Sequence, residues 1–108
     1  MSSHVEVTTT TASRDDARRI ARALVERRLA ACVQIRGPIE SIYRWQGNIE
    51  TAEEWQCVAK TRRELFAQVE QAIRELHPYE VPEILAVEIV ATSDAYGRWL
   101  EEELGAGD

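Results

Sequence analysis

Residues 31–60, ACVQIRGPIESIYRWQGNIETAEEWQCVAK, run as two stretches of alternating character on either side of a short polar break. Ala31, Val33 and Ile35 fall on one face of an extended chain. Gly37-Pro38 then interrupts the run, as a bulge or bend would. Beyond it Tyr43 and Trp45 face one way and Ile42 and Arg44 the other. Gln46-Gly47-Asn48 has turn chemistry, and after it Trp55, Cys57 and Ala59 alternate with Gln56, Val58 and Lys60. The stretch therefore predicts a long β-hairpin. Its arms exceed the five or six residues of an ordinary strand, so the tip is expected to project beyond the core and to need a partner over its aromatic face. With the turn centred on Gln46-Gly47-Asn48, Cys57 is expected opposite a residue near Pro38. That is some six positions, or roughly 20 Å, along the strand from Cys32.

The flanks supply the rest of the fold. On the N-terminal side, His4 to Thr11 is a β-branched run with Val5 and Val7 on one side. It stops at Ser13, an N-cap with Asp16 three residues on. Ala17, Ile20, Ala21, Leu24 and Val25 then recur at helical spacing as a buried stripe. On the C-terminal side, Thr61 and Glu64 read as a capping box opening a helix striped with Leu65, Phe66, Val69, Ile73 and Leu76. That helix must end before Pro78, because the residue preceding a proline is pushed out of the helical region. Ile84 to Ala91 is apolar except for Glu88, which predicts a central strand. Ser93 caps a last helix with Tyr96, Trp99, Leu100 and Leu104 on one side. The order β-α-β-β-α-β plus a C-terminal helix is the ferredoxin-like α+β arrangement, a four-stranded antiparallel sheet with two helices on one face and an extended β2-β3 hairpin. It fills a single domain over residues 1–108.

Composition narrows the function. A chain of 108 residues, 44% hydrophobic, suffices for one core. A formal net charge of -6 is the wrong sign for gripping phosphate backbones, so no nucleic-acid partner is expected. The longest apolar stretch, Leu29 to Val33, is far short of the roughly 20 residues of a membrane span. Met1 to Val7 carries no secretory pattern, which makes the cytoplasm the expected compartment. Arginines cluster in the first helix while residues 80–108 hold eight acids and only Arg98, a contrast that reads first as solvated helix faces and second as surfaces that could meet between subunits. Cys32 and Cys57 have no zinc or CxxC spacing and are expected as free thiols.

The signatures of phosphate loops, zincins, nucleophile elbows and EF-hands are missing, and no catalytic residues are assigned. The one concentration of unusual polar groups is His77-Pro78-Tyr79-Glu80-Val81-Pro82-Glu83. His77, Glu80 and Glu83 offer an imidazole and two carboxylates to a divalent ion, without the second His or thiolate that a tight copper site favours. The same residues equally describe a proline-braced turn over the end of the second helix. Lys60 and Glu83 form either an ion pair at strand ends or the anchors of a small-molecule pocket. Trp45, Trp55 and Tyr43 read as interface before ligand platform.

Leu29-Ala30-Ala31-Cys32-Val33, Ser41-Ile42-Tyr43-Arg44-Trp45-Gln46-Gly47, Lys60-Thr61-Arg62, the His77 to Glu83 block and Tyr96-Gly97-Arg98-Trp99-Leu100 together resemble, in order and spacing, the CutA divalent-cation tolerance proteins. The resemblance spans about residues 5–104. It implies a ferredoxin-like subunit in a homotrimer similar in architecture to the PII signalling proteins, connected with tolerance to copper and other divalent ions and without an established catalytic activity. Some members carry a Cys near the end of the first strand and a His-His pair before the proline as proposed copper ligands. Thr9 and Leu76-His77 stand at those positions here.

Two functional expectations follow. The first is a non-enzymatic binding or signalling trimer with Cu(II) or another divalent cation held weakly, not obligatorily, by His77, Glu80 and Glu83. On this reading His77→Ala abolishes Cu(II) binding and costs the core little. The second is a sensor or enzyme that takes a small anionic metabolite in clefts between subunits, lined by Lys60, Tyr79, Glu83, Trp45, Trp99 and Cys32. A purely structural trimerisation module needs no ligand.

Overall fold

The computed structural model describes residues 3–105, so Met1, Ser2 and residues 106–108 lie outside the described residues. The elements are β1 His4–Thr11, α1 Arg14–Glu26, β2 Cys32–Trp45, β3 Asn48–Arg62, a 3-10 turn Arg63–Leu65, α2 Phe66–Leu76, β4 Leu85–Ile89 and α3 Asp94–Glu103. The strands form one sheet in the order β2-β3-β1-β4, antiparallel at every pairing. This is the ferredoxin-like α+β sandwich with an added C-terminal helix.

The entries of α1 and α3 follow from local chemistry. The Ser13 hydroxyl accepts from the Asp16 N–H at 3.1 Å and Ser93 from the Tyr96 N–H at 3.1 Å, which satisfies donors that the first helical turn leaves free. Ala17, Ile20, Ala21 and Leu24 of α1 are buried with Val69, Ala72 and Ile73 of α2 over Val5, Val7 and Ala59 of the sheet. Ile20 and Leu24, fully enclosed, contribute on the order of 1.5–3 kcal/mol each. Val25 lies at the margin of the stripe and stays 43% exposed, against the expectation that it joins the core.

The second capping box does not form. Thr61 is still within β3, and its hydroxyl donates to the Leu29 carbonyl at 2.7 Å. The chain enters α2 through the 3-10 turn with no side-chain cap. A buried hydroxyl facing an unpaired loop carbonyl is satisfied there, and the sheet keeps the residue.

Two features fix the hairpin register. The turn is the two-residue loop Gln46-Gly47, both with positive φ (50° and 83°), closed by Trp45 opposite Asn48. Further down, two residues of β2, Gly37 and Pro38, lie where β3 supplies only Trp55, so the pairing steps from Ile39 opposite Glu54 to Arg36 opposite Gln56. Gly37 is needed for this: a Cβ there would sit 2.5 Å from the Trp55 ring. The shorter turn and the bulge together bring Cys57 opposite Ile35 instead of near Pro38. Cys32 pairs with Lys60, on the other face of the sheet from Cys57, and both thiols are free.

The bulge also inverts the phase of β2. Val33 and Ile35 face the helices with Ala59 and Cys57, whereas Tyr43 and Trp45, opposite Glu50 and Asn48, share the face of Glu54 and Lys60. The ribbon beyond the bulge extends past the helices. The molecule measures 44 × 25 × 21 Å with a radius of gyration of 14.4 Å, against about 13 Å for a compact chain of this length.

β4 is an edge strand, not the central one its composition suggested. It pairs only with β1, and Leu85 and Val87 are 44% and 55% exposed. Among the described residues, Leu85 and Val87 thus lack the cover that the strand's apolar composition calls for. No described helix is long and apolar enough to cross a membrane.

Candidate functional site

The His77 to Glu83 block folds over the sheet face that the helices leave open. His77, first residue after α2, is turned out of helical geometry (ψ 132°) by Pro78 and buried against β1. Its Nε2–H donates to the Thr10 carbonyl at 2.7 Å, while Nδ1 accepts the Tyr79 N–H at 3.1 Å. Only the neutral Nε2–H tautomer makes both bonds. The Tyr79 ring lies against the imidazole, tilted by 50° with centroids 4.6 Å apart, and its hydroxyl donates to Glu54 Oε2 at 2.9 Å. Burial, then the bond to the Glu54 carboxylate, pushes the Tyr79 phenol up to about 12. Glu83 lies close enough to Glu54 for like charge to act. Desolvation first, and Glu54 second, raise its carboxyl above the ordinary range.

Glu54 is the residue sequence reasoning missed. It is only 8% exposed. Alternation from Trp55 does put Glu54 on the open face, but Glu53-Glu54 reads as two solvated acids unless the loop 23 residues downstream is known to close over one of them. Thr10, whose carbonyl anchors His77, had no sequence signal at all.

The donor set does not fit a divalent cation. Both nitrogens of His77 are spent on backbone groups, and Glu80 is exposed on the outer side of the loop. Among the described residues no three His, Cys, Asp or Glu side chains converge as a metal site. The described structure thus does not gather His77, Glu80 and Glu83 into one group: the imidazole braces the loop, and it is buried there instead of standing free on a loop.

Lys60 and Glu83 do not pair either. Lys60 Nζ donates to Gln34 Oε1 at 2.9 Å and stands 5.7 Å from the Tyr96 ring, which in turn lies 5.5 Å from Trp99. The expected cleft residues are dealt out along one sheet face in three stations. Trp45 is at the hairpin tip, 47% exposed. Tyr79 and Glu83 gather at Glu54, and Lys60, Cys32 and Trp99 lie at the far end. Neighbouring stations are six residues apart on β3, or roughly 20 Å. One chain does not bring them together.

The family model of the CutA1 divalent ion tolerance protein matches residues 5–103. A divalent-cation tolerance protein CutA from Thermus thermophilus is 45% identical over 96 residues, 89% of this chain and 93% of its own length. Among solved structures, the divalent cation tolerance protein of Thermus thermophilus superposes with a TM-score of 0.92 at 43% identity, covering 94% of this chain and 99% of the other. CutA1 from Oryza sativa superposes with a TM-score of 0.94 at 30% identity, covering 97% and 96%.

Proposed function

The chain belongs to the CutA1 divalent ion tolerance family, and we propose that it works as a non-enzymatic homotrimer in a divalent-cation response, with its ligand contacts built at the seams between copies and no metal centre inside one chain. The observation that carries this is the unpartnered β4 edge, whose Leu85 and Val87 remain open although the strand has the composition of a central one. A closed assembly of identical chains covers such an edge and the projecting ribbon at once, and brings a Trp45 station of one copy against the other stations of the next. Two free thiols support a reducing compartment, the cytoplasm. Val87→Arg places a charge in that seam. It is expected to lower the particle mass while leaving far-UV circular dichroism unchanged. An unaltered mass refutes the placement of the seam at β4.

A second reading rests on Lys60. Its partner is the neutral Gln34, and among the described residues it has no carboxylate partner. That leaves a positive charge beside Tyr96 and Trp99 for a small anion entering the cleft between subunits. Calorimetric titration with a panel of nucleotides separates the two readings. Heat that Lys60→Ala removes favours the sensor, and no heat from any nucleotide favours the first reading.

A further inference from the structure

We propose that α3 is a strap, docked over the Lys60 and Cys32 end of the sheet by a polar clasp and able to come away as a unit while the βαββαβ core stays folded. A helix of ten residues has no stability of its own in water, so α3 is helical because it is docked. Only Leu100 and Leu104 enter the core, while Tyr96 and Trp99 stay 38% and 39% exposed. The rest of the attachment is polar. Glu101 is shared by two side chains that are themselves nearly covered: the Arg62 guanidinium donates from Nη1 to Oε1 at 3.1 Å, and the His4 imidazole Nε2 lies 2.6 Å from Oε2. Arg62 also donates to the Gly105 carbonyl. Arg28 donates to the Glu103 and Glu102 carbonyls at 3.1 and 2.8 Å, acceptors that the end of a helix leaves unpaired.

Arg28 is the observation that turns this contact into a device. It stands just past the C-cap of α1 with φ 59°, in the left-handed region where a helix end ordinarily uses glycine. The Leu29 N–H bonds back to the Leu24 carbonyl and the Arg28 N–H to the Val25 carbonyl, so the motif is complete and would accept glycine without loss. An arginine at that position is locally unfavourable, and the one thing it does there is hold α3. The Gly105 N–H closes the loop by donating to the Arg28 carbonyl at 2.8 Å. Lys60 faces Tyr96 of the strap, and Cys32 stands beside Lys60 as its register partner on β2. Release of α3 bares a surface carrying His4, Lys60, Arg62 and the Cys32 thiol.

Hydrogen exchange of the α3 amides, with iodoacetamide labelling of Cys32 in parallel, reads the opening. Cys57, 1% exposed, serves as the internal control. Glu101→Ala removes charge-assisted bonds and is expected to quicken α3 exchange and Cys32 labelling about tenfold to a hundredfold, with β1 and β3 amides unchanged. Arg28→Gly is the second variant. It loosens α3 in the same direction while the last turn of α1 keeps or gains protection. Acceleration spread evenly over β1, β3 and α3 overturns the proposal, as does α3 exchange unmoved in both variants. Particle mass is followed in the same samples, so loss of the assembly is told apart from loss of the clasp.

Discussion

Replacing His77 by alanine separates a brace from a ligand. The imidazole makes two hydrogen bonds to backbone groups, the Thr10 carbonyl and the Tyr79 N–H, each worth about 0.5–1.5 kcal/mol net. Its removal also leaves a hole beside Tyr79, in a place only 7% exposed, at a further cost of about 1–2 kcal/mol. Together these predict a loss of about 2–5 kcal/mol. For a domain of this size 1 kcal/mol shifts Tm by about 4 °C, so a drop of about 8–20 °C is expected. The assay is thermal unfolding of parent and variant at equal chain concentration, since the Tm of an assembly depends on concentration. Calorimetric titration with Cu(II) accompanies it and is expected to give the same weak response for both proteins. A variant that melts within about 2 °C of the parent and loses a specific Cu(II) signal refutes the reasoning and makes the imidazole a metal ligand.

Gly37→Ala forces a Cβ into the Trp55 ring and against the Glu54 carbonyl at 3.2 Å, so a loss of about 1–3 kcal/mol and an altered near-UV signal are expected. In native protein one thiol, Cys32, reacts with a disulfide reagent, and two react after denaturation, because burial raises Cys57 to about 11 and removes it from reach. The carboxyl of Glu83 is raised in the folded chain, so the folded state binds the proton more tightly than the unfolded one. Its contribution favours folding below the ordinary glutamate value of 4.5 and is lost as pH rises through the folded value. Glu83→Gln is therefore expected to flatten the fall in stability on going up from pH 4.5 in a pH series of denaturant titrations. An unchanged slope would show that neither burial nor Glu54 raises the Glu83 carboxyl in the folded chain.

The alternation of residues 31–60 and the stripes of α1 and α2 were legible because each element buries one face against its own chain. What stayed hidden depended on distant atoms. The composition of β4 reports that both its faces are wanted inside, and says nothing about whose atoms cover them. Thr61 carries a capping signal, yet the Leu29 carbonyl, 32 residues earlier, claims its hydroxyl. The turn at Gln46-Gly47 puts a glutamine at positive φ, which the turn chemistry of Gln46-Gly47-Asn48 does not by itself suggest. In the site, His77 and Tyr79 were visible as unusual residues. Their roles were not, because Thr10 and Glu54 meet them only through the fold.

The open β4 edge is proposed as a seam between identical chains, and light scattering of the parent protein at micromolar concentration tests that directly. A single species at three times the 12.3 kDa of the chain, stable on dilution, is the expected result. A monodisperse particle at 12.3 kDa, with Leu85 and Val87 left to water, contradicts it.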